Sequence, residues 1–66
     1  MIITVNGKAH KHGGKANVQG LLKAMRIDSS RVAVMVNGQI VRRQKFPSAR
    51  LAPGDSVEIL TLAGGG

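Results

Sequence analysis

The chain has 66 residues, 42% of them hydrophobic, and carries ten Lys and Arg against three Asp and Glu, a net charge of +7. A domain this small buries only about 60% of the surface its unfolded chain exposes, which allows a thin core but hardly a deep substrate pocket as well. The absence of cysteine excludes disulfides and thiolate chemistry, and the longest uncharged apolar run is far too short to span a bilayer. All ten basic residues lie between Lys8 and Arg50, and the sixteen residues after Arg50 contain only Asp55 and Glu58. Such a balance points to an acidic partner or a nucleic acid. Phe46 is the only aromatic residue, so base stacking is poorly supported and nucleic acid is not the expected partner. The segment Met1 to Val5 has no basic region before it and no cleavage site after it, so no signal peptide is read there. A soluble cytoplasmic protein with no membrane association is expected.

Residues 1 to 6 alternate, with Met1, Ile3 and Val5 on one face and Ile2, Thr4 and Asn6 on the other, which is strand periodicity. Asn6-Gly7 is a strong hairpin signal, because a tight turn of this kind needs positive φ at both central positions. Lys8 to His12 return as a short polar strand that Gly13-Gly14 ends. Asn17 is a candidate N-cap, and Val18, Leu21, Leu22 and Met25 follow at helical spacing as one apolar stripe of a helix over Asn17 to Arg26. Gly20 weakens that helix by about 1 kcal/mol relative to alanine, which suggests a close approach by the sheet. Lys23 and Arg26 suit the negative end of the helix dipole, and Asp28-Ser29-Ser30 stops the helix. Val32 to Val36 is a β-branched run expected of an inner strand. Asn37-Gly38 repeats the hairpin signal, with Gln39-Ile40-Val41 as the return. Phe46, Ala49 and Leu51 are placed to plug the core from an irregular stretch holding Pro47. Pro53-Gly54-Asp55 forms a turn. Ser56 to Leu62 make the last strand, with Val57 and Ile59 on one face and Leu60 and Leu62 on the other. Residues 63 to 66, Ala-Gly-Gly-Gly, have nothing to pack and are expected to form a flexible tail.

The order is hairpin, helix, second strand pair, final strand, so the fold class is α+β. Two arrangements fit: a mixed sheet of four or five strands wrapped on one helix, or a small open barrel. The single central amphipathic helix favours the sheet. The domain then spans residues 1 to 62 and the tail residues 63 to 66.

The chain resembles the ubiquitin-like β-grasp sulfur carriers, most closely those serving thiazole formation in thiamine biosynthesis. The likeness covers the whole chain. It rests on the opening strand Met1 to Asn6, the helical pair Leu21-Leu22, and the run from Val32 through Asn37-Gly38 to Val41. It continues through Leu51, the segment Gly54 to Ile59 and the terminal glycines. Two features depart from the family's usual pattern: the strongly basic charge, and a third glycine, Gly64, in place of another spacer residue. The resemblance implies a protein co-substrate rather than an enzyme. An adenylating enzyme of the ubiquitin-activating type would use ATP to adenylate the carboxylate of Gly66. A persulfide donor would convert it to a thiocarboxylate, and a thiazole synthase would accept the sulfur. Molybdopterin, cysteine or tRNA thiolation are alternative destinations, and a small basic RNA-binding module of similar fold is an alternative of another class. Gly64 and Gly65 would let Gly66 enter a narrow channel, since glycine has no Cβ and adopts backbone angles closed to other residues. No bound cofactor is implied.

Leu60, Leu62 and Ile2, on the outer sheet face, are the candidate docking patch for the activating partner. His10 and His12 share a strand face, but with no cysteine and few carboxylates to complete a site they are expected to be solvated rather than metal-bound. Arg42, Arg43 and Lys45 form either a solvated loop or a contact for an acidic partner enzyme or RNA. Gly13-Gly14 is too short for a phosphate loop, and no residue pair offers a nucleophile beside a base.

Overall fold

Both Asn-Gly pairs adopt the turns their sequence predicts in the computed structural model, which describes residues 1–62. Asn6 and Gly7 have φ of 51° and 81°, and Asn37 and Gly38 have 52° and 82°, the two positive values a two-residue hairpin turn of matching twist requires. They join β1 (Ile2–Val5) to β2 (Lys8–Lys11), and β3 (Val32–Val36) to β4 (Gln39–Val41). The last strand, β5 (Ser56–Thr61), enters between the hairpins, parallel to β1 and antiparallel to β3, giving the order β2-β1-β5-β3-β4. A parallel pair needs a crossover, and the connection from β1 to β5 carries α1 (Val18–Ala24) across one face of the sheet. The result is the five-stranded mixed sheet on one helix, a β-grasp architecture. No helix among the described residues is long and apolar enough to cross a membrane. The proposed boundary at residue 62 coincides with the limit of the described residues, so the tail lies outside them.

The core lies between sheet and helix. Ile3, Val5, Val32, Val34, Val57 and Ile59 meet Val18, Leu21 and Leu22 there, and Phe46 and Leu51 close it from the β4–β5 connection. Ala49 is only partly buried. Fully burying one such side chain contributes about 1.5–3 kcal/mol. Met25, the last residue of the predicted stripe, packs at the margin.

Three expectations are corrected. The helix is shorter than Asn17 to Arg26, because it closes before Asp28 is reached. Arg26 takes φ 57°, its amide bonds to Lys23 O at 3.1 Å, and the Ile27 amide bonds to Leu22 O at 2.9 Å, a Schellman ending with arginine where glycine is usual. Asp28 instead caps the separate 3₁₀ turn Ser29–Arg31. Gly20 does not admit the sheet. Its missing Cβ leaves room for the preceding loop, since a methyl there would stand 2.6 Å from Lys15 O and 2.9 Å from Asn17 Oδ1. His12 is not solvated. It lies just past β2, 3% exposed, and its Nε2–H donates to Lys15 O at 2.6 Å, which leaves Nδ1 buried without a partner.

Candidate functional site

The central strand β5 leads to the glycines, and the fold fixes it from both sides. Val57 and Ile59 point into the core, whereas Leu60 is 55% and Leu62 48% exposed, the alternation a strand with one buried face must show. Both turn asparagines extend the ladder with their side chains. The Ile59 amide donates to Asn6 Oδ1 at 2.8 Å, and Asn6 Nδ2 donates to Ile59 O at 3.2 Å. The side chain thus continues the pairing past the end of β1. On the other flank, the Ser56 amide donates to Asn37 Oδ1 at 2.9 Å and Asn37 Nδ2 donates to Asp55 Oδ1 at 3.1 Å. Past the strand, the Leu62 amide bonds to Arg31 O at 2.8 Å. The chain is therefore held up to the residue before the final Ala-Gly-Gly-Gly. These side-chain roles were not read from the sequence, where Asn-Gly announces a turn and nothing more.

Of the residues singled out, Gly64, Gly65 and Gly66 lie outside the described residues. Leu60 and Leu62 come together at the C-terminal end of β5. Ile2 does not join them. It is 61% exposed, but the parallel register Thr4↔Ser56 sets it level with residue 54. That is six residues from Leu60, or about 20 Å at the usual rise of a strand. The neighbours of Leu60 come instead from the other hairpin. Ala33 stands opposite it, Met35 is the next outward residue of β3, and Ile40 pairs with Met35. At 76%, Ile40 is the most exposed large apolar residue among those described. Leu60, Ala33, Met35 and Ile40 thus form an apolar diagonal over three strands, within the reach of cross-strand neighbours. Ile40 was legible in principle: a two-residue turn at Asn37-Gly38 puts it opposite Met35.

The electrostatics beside this strand end are set by the 3₁₀ turn. Asp28 Oδ1 accepts from the Ser30 hydroxyl at 2.7 Å and from the Ser30 amide at 2.9 Å, while Oδ2 lies 3.6 Å from Arg31 Nε. The hydroxyl bond first, then the amide bond, hold the Asp28 carboxyl below its ordinary pKa. Arg43 reaches over to donate to Ser30 O at 3.2 Å, so this member of the basic cluster braces the turn. No group of three or more His, Cys, Asp or Glu stands close enough to hold a metal among the described residues. The arrangement is a strand hydrogen-bonded on both flanks, an apolar face beside it, and glycines that follow it in the sequence.

Known proteins share this chain's sequence pattern and fold. The sequence pattern of the ThiS family fits residues 3–66. The crystal structure of a thiamine biosynthesis protein (ThiS) from Geobacter metallireducens superposes with a TM-score of 0.84 at 38% identity, covering 100% of both chains. A thiazole synthase from Paramagnetospirillum magneticum is 32% identical over this whole chain, which spans only 20% of its length. An uncharacterized protein, ycf40, from Porphyra purpurea is 31% identical over 97% of this chain and 90% of its own.

Proposed function

The chain belongs to the ThiS family, and on that premise we propose that it is a sulfur carrier of thiamine biosynthesis that reacts through the carboxylate of Gly66. The supporting observation is that the family match runs through residue 66 and so takes in the glycines. A carboxylate is a poor electrophile. An activating partner remedies this by joining it to the AMP moiety of ATP with loss of pyrophosphate. Attack of a persulfide sulfur on the acyl carbon then expels AMP, and cleavage of the S–S bond by a second thiol leaves the thiocarboxylate. This chain contributes the reacting terminus and its delivery. Four residues after Leu62 would span at most roughly 13 Å when fully extended, and glycines at 64 and 65 would keep such a segment narrow. The protein is consumed and regenerated as a co-substrate and binds no cofactor of its own.

The sulfur acceptor in this reading is a thiazole synthase. In the Paramagnetospirillum magneticum relative, a stretch similar to this chain forms part of a protein described as a thiazole synthase, which supports the pairing of carrier and acceptor. Docking on the activating enzyme is assigned to Leu60 and Leu62, beside the glycines, and Ile2 lies outside that patch at the other end of the sheet.

The test is mass spectrometry after incubation with the activating enzyme, ATP and a persulfide donor. The terminus should gain the mass difference between sulfur and oxygen. Removing Gly65 and Gly66 should abolish the gain without changing the unfolding midpoint. A chain extended beyond Gly66 that still forms a thiocarboxylate without cleavage would refute the assignment.

A further inference from the structure

Three of the ten basic residues line one region on the helix side of the molecule, away from the apolar sheet face. Two shallow depressions, of about 520 and 480 Å³, meet at Lys15, Asn17 and Pro47. Lys23 lines the first and Arg50 the second. No carboxylate lines either one, and the one ion pair among the described residues is Arg31 with Asp28, elsewhere on the surface.

The walls are built rather than incidental. The amides of the first helical turn are already used: Val18 N bonds to Ala49 O, Gln19 N to Phe46 O, and Gly20 N to Asn17 Oδ1. Asn17 Nδ2 donates to Pro47 O at 3.1 Å, Leu51 N bonds to Ala16 O, and Asn17 and Arg50 form an isolated β-bridge. The loop floor at Lys15 is held by the buried His12 ring. These bonds fasten the segment from Phe46 to Leu51 along the start of the helix. They also take up the amides of the first helical turn, so at the helix start recognition falls to the side chains of Lys15, Lys23 and Arg50. All three are exposed. Three cations on long stems along a preformed groove suit several carboxylates spread along a segment better than one compact ion. With no aromatic available for stacking, since Phe46 is in the core, a single nucleic-acid strand lacks the stacking platform that accompanies its phosphate contacts.

We propose that this groove docks an acidic, carboxylate-rich segment of a partner protein, using Lys15, Lys23 and Arg50. It does so independently of the sheet face and of the reaction at Gly66. The charge complementarity steers encounter and fixes register, and it is sensitive to salt.

The experiment titrates the full chain with a polyglutamate peptide at low salt, following backbone amide shifts, with an oligouridylate and inorganic phosphate as parallel probes. Polyglutamate should shift residues 14 to 24 and 47 to 50. Lys15→Glu, Lys23→Glu and Arg50→Glu together should weaken its binding by about tenfold or more. A control of equal charge change, Lys8→Glu, Lys11→Glu and Arg42→Glu, should weaken it much less. The neutral set Lys15→Gln, Lys23→Gln and Arg50→Gln gives the same comparison if the reversed charges disturb folding. Equal losses in groove and control variants, or no shifts at the groove, would overturn the proposal. So would tighter binding there of the oligouridylate or of phosphate.

Discussion

A Cβ at residue 20 brings two effects of opposite sign into competition. Alanine at a helical position is favoured over glycine by about 1 kcal/mol, which alone would make Gly20→Ala stabilising. The new methyl would stand 2.6 Å from Lys15 O and 3.0 Å from Lys15 Cβ, and backbone cannot swing aside as a flexible side chain does. Moving it strains the His12 Nε2–Lys15 O and Gly20 N–Asn17 Oδ1 bonds, both 2.6 Å. The clash wins, and Gly20→Ala should destabilise by about 1–3 kcal/mol, read as a lower urea midpoint; a higher midpoint would show that the loop yields freely. Asp28 gives a residue-scale prediction in pH. Its folded-state pKa lies below its ordinary value, chiefly through the Ser30 hydroxyl and then the Ser30 amide. Its contribution is therefore complete above the unfolded pKa and is lost as pH falls through the folded one. Replacing it, as Asp28→Asn, should flatten the acid limb of the thermal midpoint against pH and leave no extra slope near neutrality.

Elements were legible where local chemistry alone decides them. Positive φ at Asn-Gly is a backbone requirement, so both hairpins were readable, and the stripe Val18-Leu21-Leu22 found its buried face. Leu22 is 1% exposed, and Leu22→Ala should cost about 2–5 kcal/mol in chemical unfolding; a loss under half a kcal/mol would contradict its place in the core. The helix end was misread because Arg26 carries no signal for a left-handed conformation. The Ile27 amide closes the ending, and Ile27 packs against the core. Tertiary burial thus imposes a conformation that the residue at 26 does not favour. Arg26→Gly should accordingly be neutral or stabilising, by up to about 1 kcal/mol, as measured by the thermal midpoint. His12 was misread for a similar reason: a polar strand suggests solvent on both faces, and only the folded loop at Gly14 and Lys15 encloses the ring.

At the scale of the whole molecule, register decides which apolar residues form one surface. Sequence alternation put Leu60, Leu62 and Ile2 on the outer face, but it carries no information on how strands slide against each other. Six residues of parallel offset separate Ile2 from Leu60, and the second hairpin supplies Met35 and Ile40 in its place. If the activating enzyme grips the sheet beside the glycines, sensitivity should follow this diagonal. Leu60→Asp and Ile40→Asp should each weaken binding to that enzyme by about tenfold or more, because a charge would then face an apolar partner in a desolvated contact. Both side chains are more than half exposed in the free protein, so unfolding free energies should change by no more than about 0.5 kcal/mol. Ile2→Asp changes a side chain just as exposed, 61% against 55% for Leu60, and supplies the matched control. It should leave affinity within about twofold, a change of less than 0.5 kcal/mol. Titration calorimetry of the three variants separates the cases. Losses at Leu60 and Ile40 alone place the enzyme on the diagonal. Equal losses at all three would mean a footprint spanning the whole sheet, and a loss at Ile2 alone would move the contact to the opposite end from the glycines, against the carrier geometry.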